Sequence, residues 1–341
     1  MENIHLFNRD HPDRLVWIDY AKGIGIFLVV LGHVIRGLQN SSILEKSGWS
    51  SFLDHWIYSF HMPLFFFLSG IFVLKSLQRP FTKYILDKCY TLIYPYLIWS
   101  LLQSSIHINM SKYTNHIIGV GDVISIFYKP IMQYWFLYVL FVIFLIFGIL
   151  YKLKLSVRSI FLLSIVIYLI PKIMPIGSWV VLSQTSTYMI YFSFGAILSN
   201  WIIKLIEKIG QPFLFMGSLL GLTILTVCVT NNLHRFDLIL PFCAMLGTLT
   251  VIFISGILNK INRFSLLSYF GKYSLEIFVA HTIASSGFRI IFQNAFNIIN
   301  PVFHLLGGVV AGIIFPLLLI QLLNRFDIHF LFNLRLNWKK G

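Results

Sequence analysis

The sequence predicts an all-α integral membrane protein of about ten transmembrane helices, with both termini in the cytoplasm. Three observations carry that expectation. The first is composition: 57% of the 341 residues are hydrophobic, only 11% are charged, and the mean hydropathy is +0.81. A soluble domain carries about 25% charged residues. A chain this apolar cannot cover a water-facing surface, so lipid becomes its solvent. The second is segmentation, with apolar runs of about 20 residues recurring along the whole chain. The third is the placement of Lys and Arg between those runs.

Hydropathy places the spans at 15–37, 56–74, 89–107, 133–151, 158–175, 184–203, 211–230, 236–257, 272–293 and 302–323. Pro171 and Glu276 make the fifth and ninth the weakest. With the N-terminus inside, alternate loops and the tail hold 18 basic residues against 7 on the opposite side, and Lys22 within the first span completes the 26. That bias puts both termini in the cytoplasm, as expected for a multi-pass protein of the cell (inner) membrane. Residues 1–341 read as one transmembrane domain without internal repeats, and the polar stretch near 108–132 is expected to lie over the external face.

The net charge of +14 invites a nucleic-acid reading. The basic residues, however, sit in short runs between apolar segments, without an aromatic-interleaved patch. No nucleic-acid partner is expected; membrane lipid is. Cys89, Cys228 and Cys243 lie in apolar stretches and form neither an even-numbered framework nor a CxxC, so they read as buried thiols. A cleavable signal peptide is not expected, because the first apolar run contains Asp19 and Lys22 and lacks a small-residue cleavage site.

Ionisable side chains inside spans are costly and mark function by default. Asp19 and Lys22 are three residues apart on one helical face, where they can pair. Lys22 and His33 are eleven residues apart, about three turns, so they point the same way roughly 16 Å apart along the axis. Gly25 and Gly32 lie near that stripe, where small residues let a backbone or ligand approach. The competing reading makes Asp19–Lys22 a snorkelling interfacial pair and His33 an interhelical hydrogen-bonding residue. The second span opens with Phe60, His61, Met62 and Pro63 and runs to Ser69–Gly70. Entering from outside, His61 reaches about the depth of His33. Two imidazoles at one depth suit proton transfer, because His titrates near neutrality. No carboxylate or Cys at ligand spacing joins them, so no metal is expected. Ser69 is eight residues from His61 and has no base within reach along its own helix.

Five stretches resemble one family in order. Lys22, ten intervening residues and His33 resemble the opening signature of the acyltransferase family 3 membrane proteins. Phe60 to Gly70 resembles their second-helix motif, especially in the branch of fucose 4-O-acetylases and polysaccharide O-acetyltransferases. Lys88 to Tyr96 is similar to the basic stretch leading into Pro-Tyr, with Lys88 where Arg is usual and Thr91 in place of a second basic residue. Tyr134 to Leu137 resembles the aromatic start of the fourth helix, and Gly271 to His281 the late Gly–Ser–His segment. The resemblance implies transfer of an acetyl or similar acyl group from cytoplasmic acetyl-CoA to a hydroxyl of a cell-surface or lipid-linked glycan. Acetyl-CoA is then a co-substrate. His33 would be the general base or an acyl carrier, working with His61, Lys22 and Asp19. Arg14, Lys22, Arg79 and Lys88 would hold the anionic donor. Trp135, Ser69 and His281 would meet the acceptor. For Ser69, packing, and for His281, a structural hydrogen bond, stand beside that role.

The alternative is a transporter or flippase of a lipid-linked saccharide, with intramembrane charges lining its path. It calls for paired broken helices or similar halves, and neither pattern is visible in the sequence. A non-catalytic scaffold is disfavoured by the intact Lys22, His33 and His61 set.

Overall fold

The computed structural model describes residues 15–109, 119–174, 179–328 and 330–332, and these are helical without a strand among them. The helices are α1 (Val16–Asn40), α2 (Gly48–Tyr58), α3 (His61–Ile71), α4 (Val73–Leu77), α5 (Phe81–Lys88), α6 (Tyr94–Asn109), α7 (Val120–Ser125) and α8 (Trp135–Lys152). They continue as α9 (Val157–Ile173), α10 (Val180–Lys208), α11 (Gln211–Thr230), α12 (Leu240–Ile261), α13 (Ser265–Lys272), α14 (Ser274–Asn294) and α15 (Pro301–Arg325). Seven are long and apolar enough to cross a membrane: α1, α8 with the turn before it, α10, α11, α12, α14 and α15. The protein is therefore a multi-pass integral membrane protein.

The three expected spans outside those seven show why hydropathy alone overstates continuity. The span expected at 56–74 is broken at Ser59–Phe60 and again at Phe72, leaving α3 with 11 residues. In α6, Pro95 has no N–H to give the preceding turn. Directly before it the helix widens into a π-turn over Cys89–Ile93, and α6 itself is 16 residues long. The 17-residue α9 carries Pro171 in its last turn. Two cations that the charge pattern assigned to outer loops are helical. Arg36 lies within α1, one turn from His33. Arg289, assigned likewise, lies within α14.

α1 sits at the centre, packed against α2, α3, α12, α13, α14 and α15. Its approach to α13 is backbone to backbone. A Cβ at Gly23 would overlap the Leu267 carbonyl, and a Cβ at Gly271 would overlap that of Asp19. A second reciprocal pair joins α3 to α10, where Gly70 meets the Phe192 carbonyl and Gly195 that of Phe67. Without a hydrophobic effect between helices in lipid, such close van der Waals contact is a main source of cohesion. Gly25 and Gly32 serve differently from expectation. They receive side chains, Leu64 and Phe65 at one, Tyr58 and Ile57 at the other, and neither opens onto a ligand. The thiols of Cys89, Cys228 and Cys243 are free, the last two buried. At the far end of the chain the Trp99 indole donates to the Leu331 carbonyl at 2.8 Å, laying residues 330–332 along α6.

Gly271→Ala is expected to destabilise the fold by about 1–3 kcal/mol through overpacking. Gly287→Ala, whose added methyl meets open space, should be near neutral. Thermal unfolding of the two variants in detergent checks this.

Candidate active site

Beyond the midpoint of α1 the bundle encloses a cavity of about 590 Å³. His33 and Arg36 enter it from α1, Tyr58 and His61 from either side of the break between α2 and α3. That break has a direct consequence. It puts His61 at the first turn of α3, where its Nδ1–H donates to the Ile57 carbonyl across the gap at 2.8 Å. The tautomer is thereby set, and Nε2 keeps its lone pair.

Tyr58 is the hub of this wall. Its ring packs edge-on against His61 at 4.5 Å and His33 at 6.3 Å between centroids. The Arg36 guanidinium lies 3.0 Å over its face. Arg36 is also clamped by Asp54 of α2, Nε to Oδ1 at 2.6 Å and Nη2 to Oδ2 at 3.1 Å. A bidentate pair reinforced by an aromatic face fixes a cation far better than a surface ion pair does. His33 thus has a fixed positive charge one turn away on its own helix.

His281 comes to His33 from the opposite side. The ring centroids are 5.1 Å apart, and His281 is fully buried and absent from the cavity wall. Its Nδ1–H donates to the Phe278 carbonyl at 2.7 Å, with Ile277 O at 3.1 Å. Nε2 is left buried without a hydrogen-bond partner. A buried acceptor without a donor is costly, and here it lies beside a half-buried imidazole that lines the cavity. His33 is placed between the cavity and a second imidazole.

The remaining walls are aromatic and amide. Trp135 and Tyr188 stack at 5.2 Å and 29°, and Phe66 continues the stack from Tyr188 at 4.6 Å and 16°. Opposite chemistry comes from Gln133, whose Nε2 donates to Gln103 Oε1 at 2.8 Å and Thr282 Oγ1 at 2.7 Å. Tyr134 and Thr282 donate to the same Gln103 oxygen, at 2.6 and 3.1 Å. Both N–H groups of Gln133 are thereby engaged, and the residue lines the cavity with Oε1 as its acceptor. A flat aromatic surface facing oriented hydrogen-bonding groups suits an amphipathic ring.

The other expected site residues divide. Trp135 lines the cavity with His33 and His61; Ser69, two turns further along α3, does not. Lys22 lies at the N-terminal end of α1, away from the cavity. Asp19 near it is buried, and both carry polar or electrostatic partners. Arg79 pairs with Asp87 at 2.8 Å, and both are substantially exposed. The Lys88 ammonium lies 4.0 Å over Phe144. Burial lowers its pKa to about 8, with Asp87 opposing and Arg79 and Lys22 adding to that shift. Arg14 lies outside the described residues. Among those described, no cluster of three or more His, Cys, Asp or Glu is placed to hold a metal. Tyr58, Arg36, Gln103, Gln133 and Arg289 were absent from the expected set. Tyr58 three residues before His61 and Arg36 three after His33 are the spacings that carried the signal.

Comparison with known proteins bears on this arrangement. The family profile described as an acyltransferase domain matches residues 15–321. Two proteins called Nodulation protein NolL are also similar. That of Mesorhizobium japonicum is 30% identical over 139 residues, 39% of this chain and 35% of the relative. That of Sinorhizobium fredii is 32% identical over 138 residues, 39% and 36% respectively. The matched part spans about a third of the length of these curated relatives. No solved structure matches the chain.

An anion held by Lys88 is bound with the amine charged, so binding is strong below about pH 8 and weakens as the pH rises through that value. Titration of sulfate binding from about pH 6.5 to about pH 9.5 checks this. Lys88→Arg should flatten the profile.

Proposed function

Because the chain belongs to acyltransferase family 3, we propose that it moves an acetyl or similar acyl group from cytoplasmic acyl-CoA to a hydroxyl of a cell-surface or lipid-linked glycan. One observation carries the reading. His33 lines a cavity with an aromatic wall on one side and a buried imidazole behind it, while Lys22 lies on the same helix three turns away. The proposal includes ten crossings with both termini cytoplasmic, in the inner membrane. α3 to α4, α6 and α9 supply the three crossings that are short or broken. The donor's phosphates then meet Lys22, Arg79 and Lys88, with Arg14, at the cytoplasmic face. The thioester reaches His33 along α1, and the acceptor enters from the outer side, where the cavity lies.

In the chemical step His33 takes the proton of the acceptor hydroxyl as its oxygen attacks the thioester carbonyl. The C–O bond forms, the C–S bond breaks, and the proton passes from His33 to the departing sulfur. The products are the O-acyl saccharide and the free thiol of coenzyme A. Arg36, fixed on Asp54 and Tyr58, supplies positive charge for the developing oxyanion. His281 does not touch the acceptor. It acts as a positioning residue, with its Nε2 accepting from the His33 ring and holding one tautomer of that base. This replaces the acceptor-binding role expected for it. Ser69 is given no part in binding.

His33→Ala is expected to lower acetyl transfer from labelled acetyl-CoA by about 10²–10⁴-fold in purified protein that still accumulates in the membrane. Undiminished transfer would overturn the assignment. His281→Ala should lower kcat more than KM and shift the pH profile of kcat. A simple packing role would leave that profile in place.

A further inference from the structure

We infer that Gln133 selects the acyl acceptor: its side-chain oxygen takes a hydrogen bond from a second donor of the saccharide, a hydroxyl or amide N–H other than the hydroxyl that is acylated. The inference rests on the acyl-transfer reading of this cavity and adds the group by which the acceptor is recognised. Gln133 lines the cavity, yet only 4% of it is exposed. It sits in the turn Met132–Tyr134 that leads into α8, two residues before Trp135. Met132 holds a φ of 47°, a left-handed conformation that few residues other than Gly, Asn and Asp adopt. Strain of this kind persists where the surrounding structure over-determines it, and it gathers beside functional side chains.

The neighbours of Gln133 decide which end of its amide is presented. The Met132 thioether can only accept, so the Gln103 atom 3.0 Å from it is Nε2. Oε1 of Gln103 therefore faces Gln133 and, being an acceptor, meets Nε2 of that residue at 2.8 Å. The same nitrogen gives its second N–H to Thr282 Oγ1 at 2.7 Å, and the Thr282 hydroxyl donates onward to Gln103 Oε1 at 3.1 Å. Turning the Gln133 amide over would set two acceptors against each other. Among the described residues its Oε1 has no hydrogen-bond partner. A buried acceptor left unpaired is costly, and a site built around one rejects a ligand that lacks the donor. A saccharide lying on Trp135 and Tyr188 carries such donors around its rim. Thr282 directly follows His281 on α14, so the amide is anchored beside the imidazole that meets His33.

NMR titration of the purified protein in detergent tests this. The probes are the methyl β-glycosides of glucose, galactose and N-acetylglucosamine, with the monodeoxy derivatives of each. One ring position should exist at which loss of the hydroxyl or acetamido group weakens binding at least about tenfold and does so through Gln133. Its identity distinguishes a hydroxyl from an amide N–H. In Gln133→Met, an unbranched side chain of similar length without the amide, the loss at that position should fall below about twofold while losses elsewhere persist. Thr282→Val keeps Gln133 but frees its amide to turn. It should give an intermediate loss, and it carries the test if Gln133→Met does not accumulate. A merely structural Gln133 would weaken all probes alike. That result, no measurable binding of any glycoside, or unchanged losses position by position in the variants overturns the proposal. Binding needs no turnover, so His33→Ala should reproduce the wild-type pattern. Absence of acetyl transfer to every probe that binds would overturn the acyl-transfer reading and leave this result standing.

Discussion

The site depends on the backbone contact between α1 and α13. Gly23 and Gly271 each lie where a side chain would overlap a carbonyl of the other helix. α13 ends at Lys272 and α14 begins at Ser274, so the contact pins the foot of α14 to the foot of α1. From that corner α14 carries His281 and α1 carries His33 to where the two rings meet at 5.1 Å. A wider crossing would separate them, and the buried Nε2 of His281 would face only hydrocarbon.

Around that pair several polar groups are held by the protein, while the Tyr58 hydroxyl and His281 Nε2 are buried without a hydrogen-bond partner. Lipid offers no hydrogen bonds, so a polar side chain is either satisfied by the protein or placed where a substrate can satisfy it. Arg36 is satisfied by Asp54 and Tyr58, and His61 by Ile57. Gln103 is satisfied by three donors through one oxygen. Gln133 Oε1 and the His61 Nε2 lone pair retain acceptor capacity, and both residues line the cavity.

Much of this was legible in the residues. Hydropathy found the apolar segments, and helical spacing put Lys22 and His33 on one stripe. Topology brought His61 to the level of His33. What was hidden depended on where helices end and break. Arg36 counted as a loop cation although the first span was drawn to 37, and Tyr58 was invisible because a continuous span leaves no reason to look before His61. The amides Gln103 and Gln133 escaped because a search for charges inside spans does not register neutral polar groups. Ser69 was drawn in by its motif, although two turns of helix carry it away from the cavity. Gly25 and Gly32 had the right size and the wrong neighbours, and Gly23 made the close approach instead.

The division of the cavity among distant parts of the chain bears on biogenesis. His33, Arg36, Tyr58 and His61 are contributed by the first 61 residues, and Trp135 and Tyr188 follow within the next 127. His281 and Arg289 arrive only with α14, after some four fifths of the chain has been made. A nascent chain inserting in order therefore holds His33 and the aromatic wall before the imidazole that meets His33 exists. Chains truncated before α14 keep the most recognisable motif and lack the His281 contact, so it is the synthesis of this late helix that closes the back of the cavity.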